Sequence, residues 1–329
     1  MTRATDAFVS LNWPGFPRPS RLRLPYMAVR LLAAPVFPFV SPSVIARRLC
    51  YPACGWDEAV TRTHFRRCFG REIDLTNPRT FSEKLGWLKL FHRKPIHETF
   101  ADKVACQDFV RARGYGDVLL ERLGVWDRPE DVPVADLPES FVLKAAHGWH
   151  MNWFQRPGAP LPVRQIRREM RRWVRTDHSL KDGEWQYRRL PRRILAEPLL
   201  HFPEGRTVDY KVFCFAGVPK LIRVVVGRGE DGGTRGAHYD LDWRQLPFAR
   251  SKRRTIDNLP RPAGLERMIE IAAALSAGEP FLRVDFYEID GRVILGELTL
   301  YPNGGAFVID PPEWDLRLGD WLDLPPAAV

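Results

Sequence analysis

Apolar and polar positions follow two different periods along this chain. From Thr80 to Phe91 (TFSEKLGWLKLF), Phe81, Leu85, Leu88 and Phe91 share one helical stripe, and Thr80 with Glu83 forms a capping box that predicts where the helix begins. Residues 101–113 predict a second amphipathic helix. From FVLKAAH (141–147) onward the pattern turns to short apolar runs typical of strands: RILAEPLL (193–200), VDYKVFCFAG (208–217) and PKLIRVVVG (219–227). The hairpin FLRVDFYEIDGRVILGELTL (281–300) turns at Asp290-Gly291. Helices are expected between strands at 163–175, where the arginines read as a solvated face, and at 263–277. Residues 1–55 are rich in proline and arginine with no steady period, and predict an irregular basic arm. The order implies an α+β protein with an arm (1–55), a helical region (56–140) and two lobes, 141–205 and 206–329.

Composition narrows the class. With 329 residues and 45% apolar content the chain can bury a large core and is not disordered. The net charge of +10 suits an acidic partner, or simply a soluble surface. No nucleic-acid motif accompanies it, so nucleic acid is not expected. Five cysteines are an odd number and argue for a reducing, cytoplasmic setting rather than a disulfide framework. Cys50, Cys54, His64 and Cys68 have spacings a zinc site could use, but scattered small hydrophobes explain them better. The uncharged run Leu31–Ala46 is too short and too rich in proline to span a bilayer. With arginines on both sides, residues 21–48 suit either peripheral contact with an anionic membrane or packing on the core.

The candidate chemistry lies where charge interrupts apolar strands. Arg283 and Asp285 share one face of their strand, as do Glu297 and Thr299 on the next. A regular two-residue hairpin would set Asp285 opposite Gly296; a bulge or a longer turn would set it opposite Glu297. The second arrangement is expected, because two carboxylates beside an arginine make a magnesium–phosphate site. Lys144 in FVLKAA needs an anion, and a turn at His147-Gly148 could lay backbone over a phosphate. Glu197 in ILAEPLL, and Asp209 with Lys211 in VDYKVFCF, are further charges in apolar runs. One nucleotide pocket accounts for all of them.

In that order these segments resemble the TupA-like (teichuronopeptide biosynthesis) ATP-grasp family. The likeness runs from NPRTFSEKLGWLKLF (77–91) through FADKVACQDFV, ERLGVW, FVLKAAHG, EWQYRRLPRRILAE, DYKVFCFAG and the hairpin to LGDWLDL (318–324). The hairpin is also similar to the metal-binding end of D-alanine-D-alanine ligase. The resemblance implies an ATP-grasp fold, two α+β lobes holding ATP between them, preceded by a small helical region. It implies that Lys144 and the His147-Gly148 turn meet the nucleotide phosphates, Glu197 the adenine, Asp209 or Glu204 the ribose and Lys211 the phosphates. Arg283 would act on the transferred phosphoryl group, and Asp285, Glu297 and Thr299 would hold Mg2+. Thr299 stands where the ligase pattern has asparagine, and bulky Trp149 and His150 follow the His-Gly where the family has small residues. The implied activity joins a carboxylate, activated as an acyl phosphate, to an amine; the partners would be an acidic polysaccharide or an amino-acid or uronic-acid substrate. Sugar kinase, glycosyltransferase and non-catalytic binding module are the competing readings.

Overall fold

The computed structural model describes residues 56–180, 182–202, 207–227, 234–250 and 256–326. The basic arm, with the 21–48 segment and Cys50 and Cys54, lies outside them, as does Glu204. The chain divides into two compact units, residues 1–73 and 74–329. In the first, helix α1 (Trp56–Phe69) carries Asp57 and Glu58 in its first turn and Arg66 and Arg67 in its last, each sign matching the helix dipole.

The second unit opens with α2 (Phe81–Phe91), and its expected capping box is present. Thr80 Oγ1 accepts from the Glu83 amide at 3.2 Å, and Glu83 Oε2 accepts from the Thr80 amide at 3.0 Å. Phe81, Leu85 and Leu88 are buried, while Phe91 has rotated toward solvent. The helix expected over 101–113 is present as α4 (Lys103–Ala112), and a short helix that was not expected, α3 (Pro95–Ala101), precedes it. Asp102 leaves the helical region and caps α4, its Oδ1 accepting from the amides of Val104 (2.9 Å) and Ala105 (3.3 Å). An aspartate at such a junction satisfies two otherwise orphaned donors.

Four strands, β1 (Gly124–Trp126), β2 (Phe141–Ala145), β3 (Asn152–Gln155) and β4 (Ile194–Pro198), form an antiparallel sheet in the order β1-β4-β2-β3. This lobe therefore begins before residue 141, because β1 covers an edge of β4 that would otherwise be unpaired. Helix α5 (Val163–Arg175) packs Ile166, Met170 and Trp173 against Phe141, Leu143, Ala145, Ile194 and Ala196. Two-residue alternation turns Lys144 and Glu197 to the opposite face.

The larger sheet comprises β5 (Val208–Phe215), β6 (Val218–Val226), β7 (Arg235–Tyr239), β8 (Gln245–Leu246), β10 (Phe281–Ile289) and β11 (Arg292–Thr299), in the order β11-β10-β5-β6-β7-β8. One face, with Val212, Cys214, Leu282 and Val284, meets α6 (Leu265–Ser276) through Met268, Ile271, Ala272 and Leu275. The other face changes character along the strands. Phe213, Phe215 and Phe281 gather around Phe81 with ring centroids 5.0–6.3 Å apart; the next residues on that face are Arg283, Asp285 and Lys211. A two-stranded ribbon, β9 (Ala249–Arg250) with β12 (Ile309–Asp310), and helix α7 (Glu313–Asp320) complete the unit. No described helix is long and apolar enough to cross a membrane.

Candidate active site

The register of the last hairpin decides what its charges can do. Ile289 pairs with Arg292, so the turn is the short one at Asp290-Gly291. A bulge at Gly296 then shifts the ladder: Phe286 pairs with Leu295, but Asp285 pairs with Glu297 and Arg283 with Thr299. The expected alignment is present, and the bulge produces it. A Cβ at Gly296 would stand 3.2 Å from the Asp285 carbonyl oxygen and 3.2 Å from the Tyr287 ring, so a side chain at the bulge would crowd both.

The same level continues across the sheet. Asp285 pairs with Lys211, Lys211 with Arg223, and Arg223 with His238, giving a row Glu297–Asp285–Lys211–Arg223–His238 over five strands. Arg283 donates through Nε to Asp285 Oδ1 (2.6 Å) and through Nη2 to Asp285 Oδ2 (2.7 Å), Glu297 Oε1 (2.9 Å) and Thr299 Oγ1 (3.0 Å). Thr299 Oγ1 in turn donates to Glu297 Oε1 at 2.9 Å. Lys211 Nζ donates to Asp285 Oδ2 and lies 3.6 Å from Asp209 Oδ1. Burial would raise the Asp285 carboxyl, but the charges and hydrogen bonds of Arg283 and Lys211 overcome it and hold it well below the usual carboxylate range. His238 is the reverse case: burial, reinforced by Arg223, pushes its imidazole down to about 3, so it is neutral.

A second group faces this row from the smaller sheet. Lys144 Nζ donates to Glu197 Oε2, and Gln107 Nε2 donates to Glu197 Oε1. Arg122 Nε donates to Gln107 Oε1 and so fixes its amide. Between the two groups lies Lys103, whose Nζ donates to the Gly148 carbonyl. Burial lowers the Lys103 ammonium, while Glu297 raises it, Lys144 lowers it and Glu197 raises it, in that order of size. Lys103 thus stands within electrostatic reach of both carboxylate groups.

The turn from β2 to β3 is held down tightly. A Cβ at Gly148 would come within 2.4 Å of His178 Nδ1, so only glycine lets this backbone lie against that ring. Trp149 fills the place of the family's small residue; its ring lies 4.5 Å from that of His178, and its Nε1 donates to Glu184 Oε2 at 3.2 Å. Gln186 Nε2 donates to Glu184 Oε1 at 3.3 Å. Burial with only neutral donors pushes the Glu184 carboxyl up to about 7, against the pull of the Lys89 charge. Tyr187 is raised well above its ordinary value by burial, then by Glu184 and Glu297. The segment 184–187 therefore links the β2–β3 turn to the hairpin's charges.

Of the expected residues, Asp209, Lys211, Arg283, Asp285, Glu297 and Thr299 form one cluster, and Lys144 with Glu197 a facing one. His147 is placed elsewhere: its ring is fully buried, Nε2 donates to the Trp173 carbonyl at 3.1 Å, and burial lowers it to about 4. That imidazole anchors the end of α5. Asp209 is buried beside Lys211 rather than at an open surface. Lys103, Gln107, Arg223, Glu184 and Tyr187 were not among the expected residues. Arg223 had a visible signal, a charge inside LIRVVV; the others show their role only through contacts distant in sequence. A cavity of about 710 Å3 adjoins the site at the hairpin's turn end, between Pro198–His201, Leu119–Glu121 and Ile289–Ile294, not over the Asp285–Glu297 row.

The TupA-like ATPgrasp family profile matches residues 83–323. The chain belongs to the TupA-like ATP-grasp family, and the two facing lobes are those of the ATP-grasp fold. Among solved structures it is similar to D-alanine-D-alanine ligase from Helicobacter pylori, at 12% identity and TM-score 0.42, covering 74% of this chain and 69% of that one. It is similar to the Bacillus anthracis D-alanine-D-alanine ligase complexed with ATP, at 13% identity and TM-score 0.38, covering 62% of this chain and 56% of that one. D-cycloserine synthetase DcsG is 16% identical with TM-score 0.40, over 70% of this chain and 72% of that one. Thus the chain spans little more than half the length of one of these and about seven-tenths of the other two. Among curated proteins none matches.

Proposed function

We propose that this protein is an ATP- and Mg2+-dependent ligase that activates a carboxylate as its acyl phosphate and joins it to an amine. The setting we infer is the cytoplasmic assembly of an acidic cell-surface polysaccharide, with a uronic acid or amino acid as substrate. The observation that carries the reading is the row of buried Lys211 and Asp285 ending at half-exposed Glu297, with Arg283 bridging both carboxylates, in a chain whose family is ATP-grasp.

The donor set fits Mg2+. Asp285, Glu297 and Thr299 offer oxygen only, and the Glu297 side chain is half exposed, with Oε2 free of the contacts that engage Oε1. A magnesium ion held by Asp285 and Glu297 would neutralise phosphate oxygens. The remaining chemistry belongs to the chain. Arg283 is held by two carboxylates in a plane, ready to exchange part of that bonding for a transferred phosphoryl group. Lys144, Lys103 and Lys211 supply positive charge from three elements, and Gly148 lets backbone approach without a side chain in the way. Glu197, fixed by Gln107 and Lys144, offers a directed acceptor to the nucleotide base. No Ser-His-Asp nucleophile is needed, because positioning and charge neutralisation carry the barrier reduction.

The test is calorimetric titration of the whole chain with ATP, with and without Mg2+, for wild type, Lys144→Ala and Glu297→Ala. Magnesium-dependent binding that weakens at least tenfold in both variants is expected; wild type that binds no ATP would remove the reading. Amide product rather than a stable phosphoester then separates ligase from kinase.

A further inference from the structure

A second set of ligand-type side chains lies away from the oxygen-only cluster. His92 follows the last turn of α2, His97 sits in α3, and Glu279 lies in the turn between α6 and β10. His97 Nε2 is 2.9 Å from Glu279 Oε2, and His92 Nε2 is 3.9 Å from the same oxygen. One donor atom from each residue lies within 4.8 Å of the others. His97 and Glu279 are buried, and the His92 side chain is only 16% exposed. His92 Nε2 is itself buried and has no hydrogen-bond partner, an arrangement that is costly unless something else engages the atom.

We propose that His92, His97 and Glu279 form a zinc-type metal site, separate from the proposed magnesium cluster and independent of it. Two imidazoles and one carboxylate, with a fourth position left to water, are a borderline-soft donor set that suits zinc and does not suit magnesium. Ligands about 2.0–2.2 Å from a tetrahedral ion stand roughly 3.4 Å apart. The 2.9 Å and 3.9 Å separations from the carboxylate bracket that value, each about half an ångström from it, and the two imidazoles lie within 4.8 Å of each other, so they would draw together on the ion. Lys94 Nζ holds the other Glu279 oxygen at 3.3 Å and orients the carboxylate. His97 Nδ1 faces the Lys94 amide at a long 3.4 Å; ligation through Nε2 moves the ring proton to Nδ1 and gives up that contact. The ion would tie the end of α2 and α3, neighbours in sequence, to the distant turn entering the strand that carries Arg283 and Asp285.

The experiment uses untagged full-length protein, stripped with a chelator and titrated with Co2+ and then Zn2+ in excess Mg2+. One equivalent of Co2+ is expected, with ligand-field bands and no thiolate-to-cobalt charge-transfer band. Zinc should displace it and raise the melting temperature in a concentration-dependent way. Affinity should fall at least tenfold in His92→Ala and in Glu279→Gln, with the melting temperature of His92→Ala close to that of metal-free wild type. The glutamine variant keeps the side chain's shape, so the two together separate ligation from folding. A thiolate band would place the ion at Cys50, Cys54 and Cys68 instead and overturn the proposal. So would binding unchanged in both variants, or no Co2+ binding at all.

Discussion

Asp285→Asn is the substitution that most directly tests how the buried row is held together. The change keeps shape and volume while removing one negative charge from a position 3% exposed. Asp285 accepts two hydrogen bonds from Arg283, at 2.6 and 2.7 Å, and one from Lys211. Its loss leaves two cations sharing Asp209 and the half-exposed Glu297. Removing one partner of a buried pair costs about 3–5 kcal/mol; because Asp209 and Glu297 remain, about 3 kcal/mol is expected here. For a unit of this size that lowers the melting temperature by roughly 6–12 °C. Urea unfolding of both proteins, followed by far-UV circular dichroism, reads the difference as a shift in midpoint at constant slope. The pH dependence has a definite sign. A depressed carboxyl contributes stability that is full above its unfolded value of about 3.9 and is lost only as pH falls toward the folded one. The gap between the two proteins should therefore stay flat from about pH 8 to 5 and narrow in acid. A variant as stable as wild type at pH 7 would refute the reasoning, since the cations would then not depend on this carboxylate.

Four further outcomes follow from the same geometry. Glu184, raised by burial to about 7, is protonated in the folded chain and ionised in the unfolded chain between about pH 4.5 and 7, so its contribution falls as pH rises through that window. Glu184→Gln should match wild type near pH 5 and exceed it by up to about 3 kcal/mol at pH 8 in urea unfolding. Gly148→Ala should lose about 1–3 kcal/mol, because its Cβ would enter the His178 ring, and differential scanning calorimetry will show the drop. Thr80→Ala removes the capping box of α2 and should cost about 1 kcal/mol by the same method. Phe81→Ala, one residue on and fully buried among three phenylalanines of the large sheet, should cost about 3–5 kcal/mol; a smaller loss than that of the cap would contradict the core assignment.

Elements with strong local signals were legible in the sequence. Thr80 and Glu83 fixed where α2 starts, because both cap bonds lie within one turn, and strand alternation put Arg283 with Asp285 and Glu297 with Thr299 on their faces. The resemblance placed the family. Local pattern missed α3 (Pro95–Ala101), which ends where Asp102 leaves the helical region and caps α4. Nothing local signals that the His147 ring is drawn into the core beneath α5, where it bonds the Trp173 carbonyl.

What only the tertiary structure decided is which charges meet. The sequence left two registers open for Asp285 and Glu297, and the bulge at Gly296 selects one of them. Lys211 joins that row by pairing with Asp285 across 74 residues, and Arg223 and His238 follow by strand pairing over 12 and 15 residues, which no local rule specifies. Lys103 reaches the Gly148 carbonyl across 45 residues, and His92 meets Glu279 across a still longer stretch. By itself the sequence determined the elements, the faces of its strands and the family; long-range pairing determined the site, because the energy of a buried charge depends on partners that only the folded chain brings within a few ångströms.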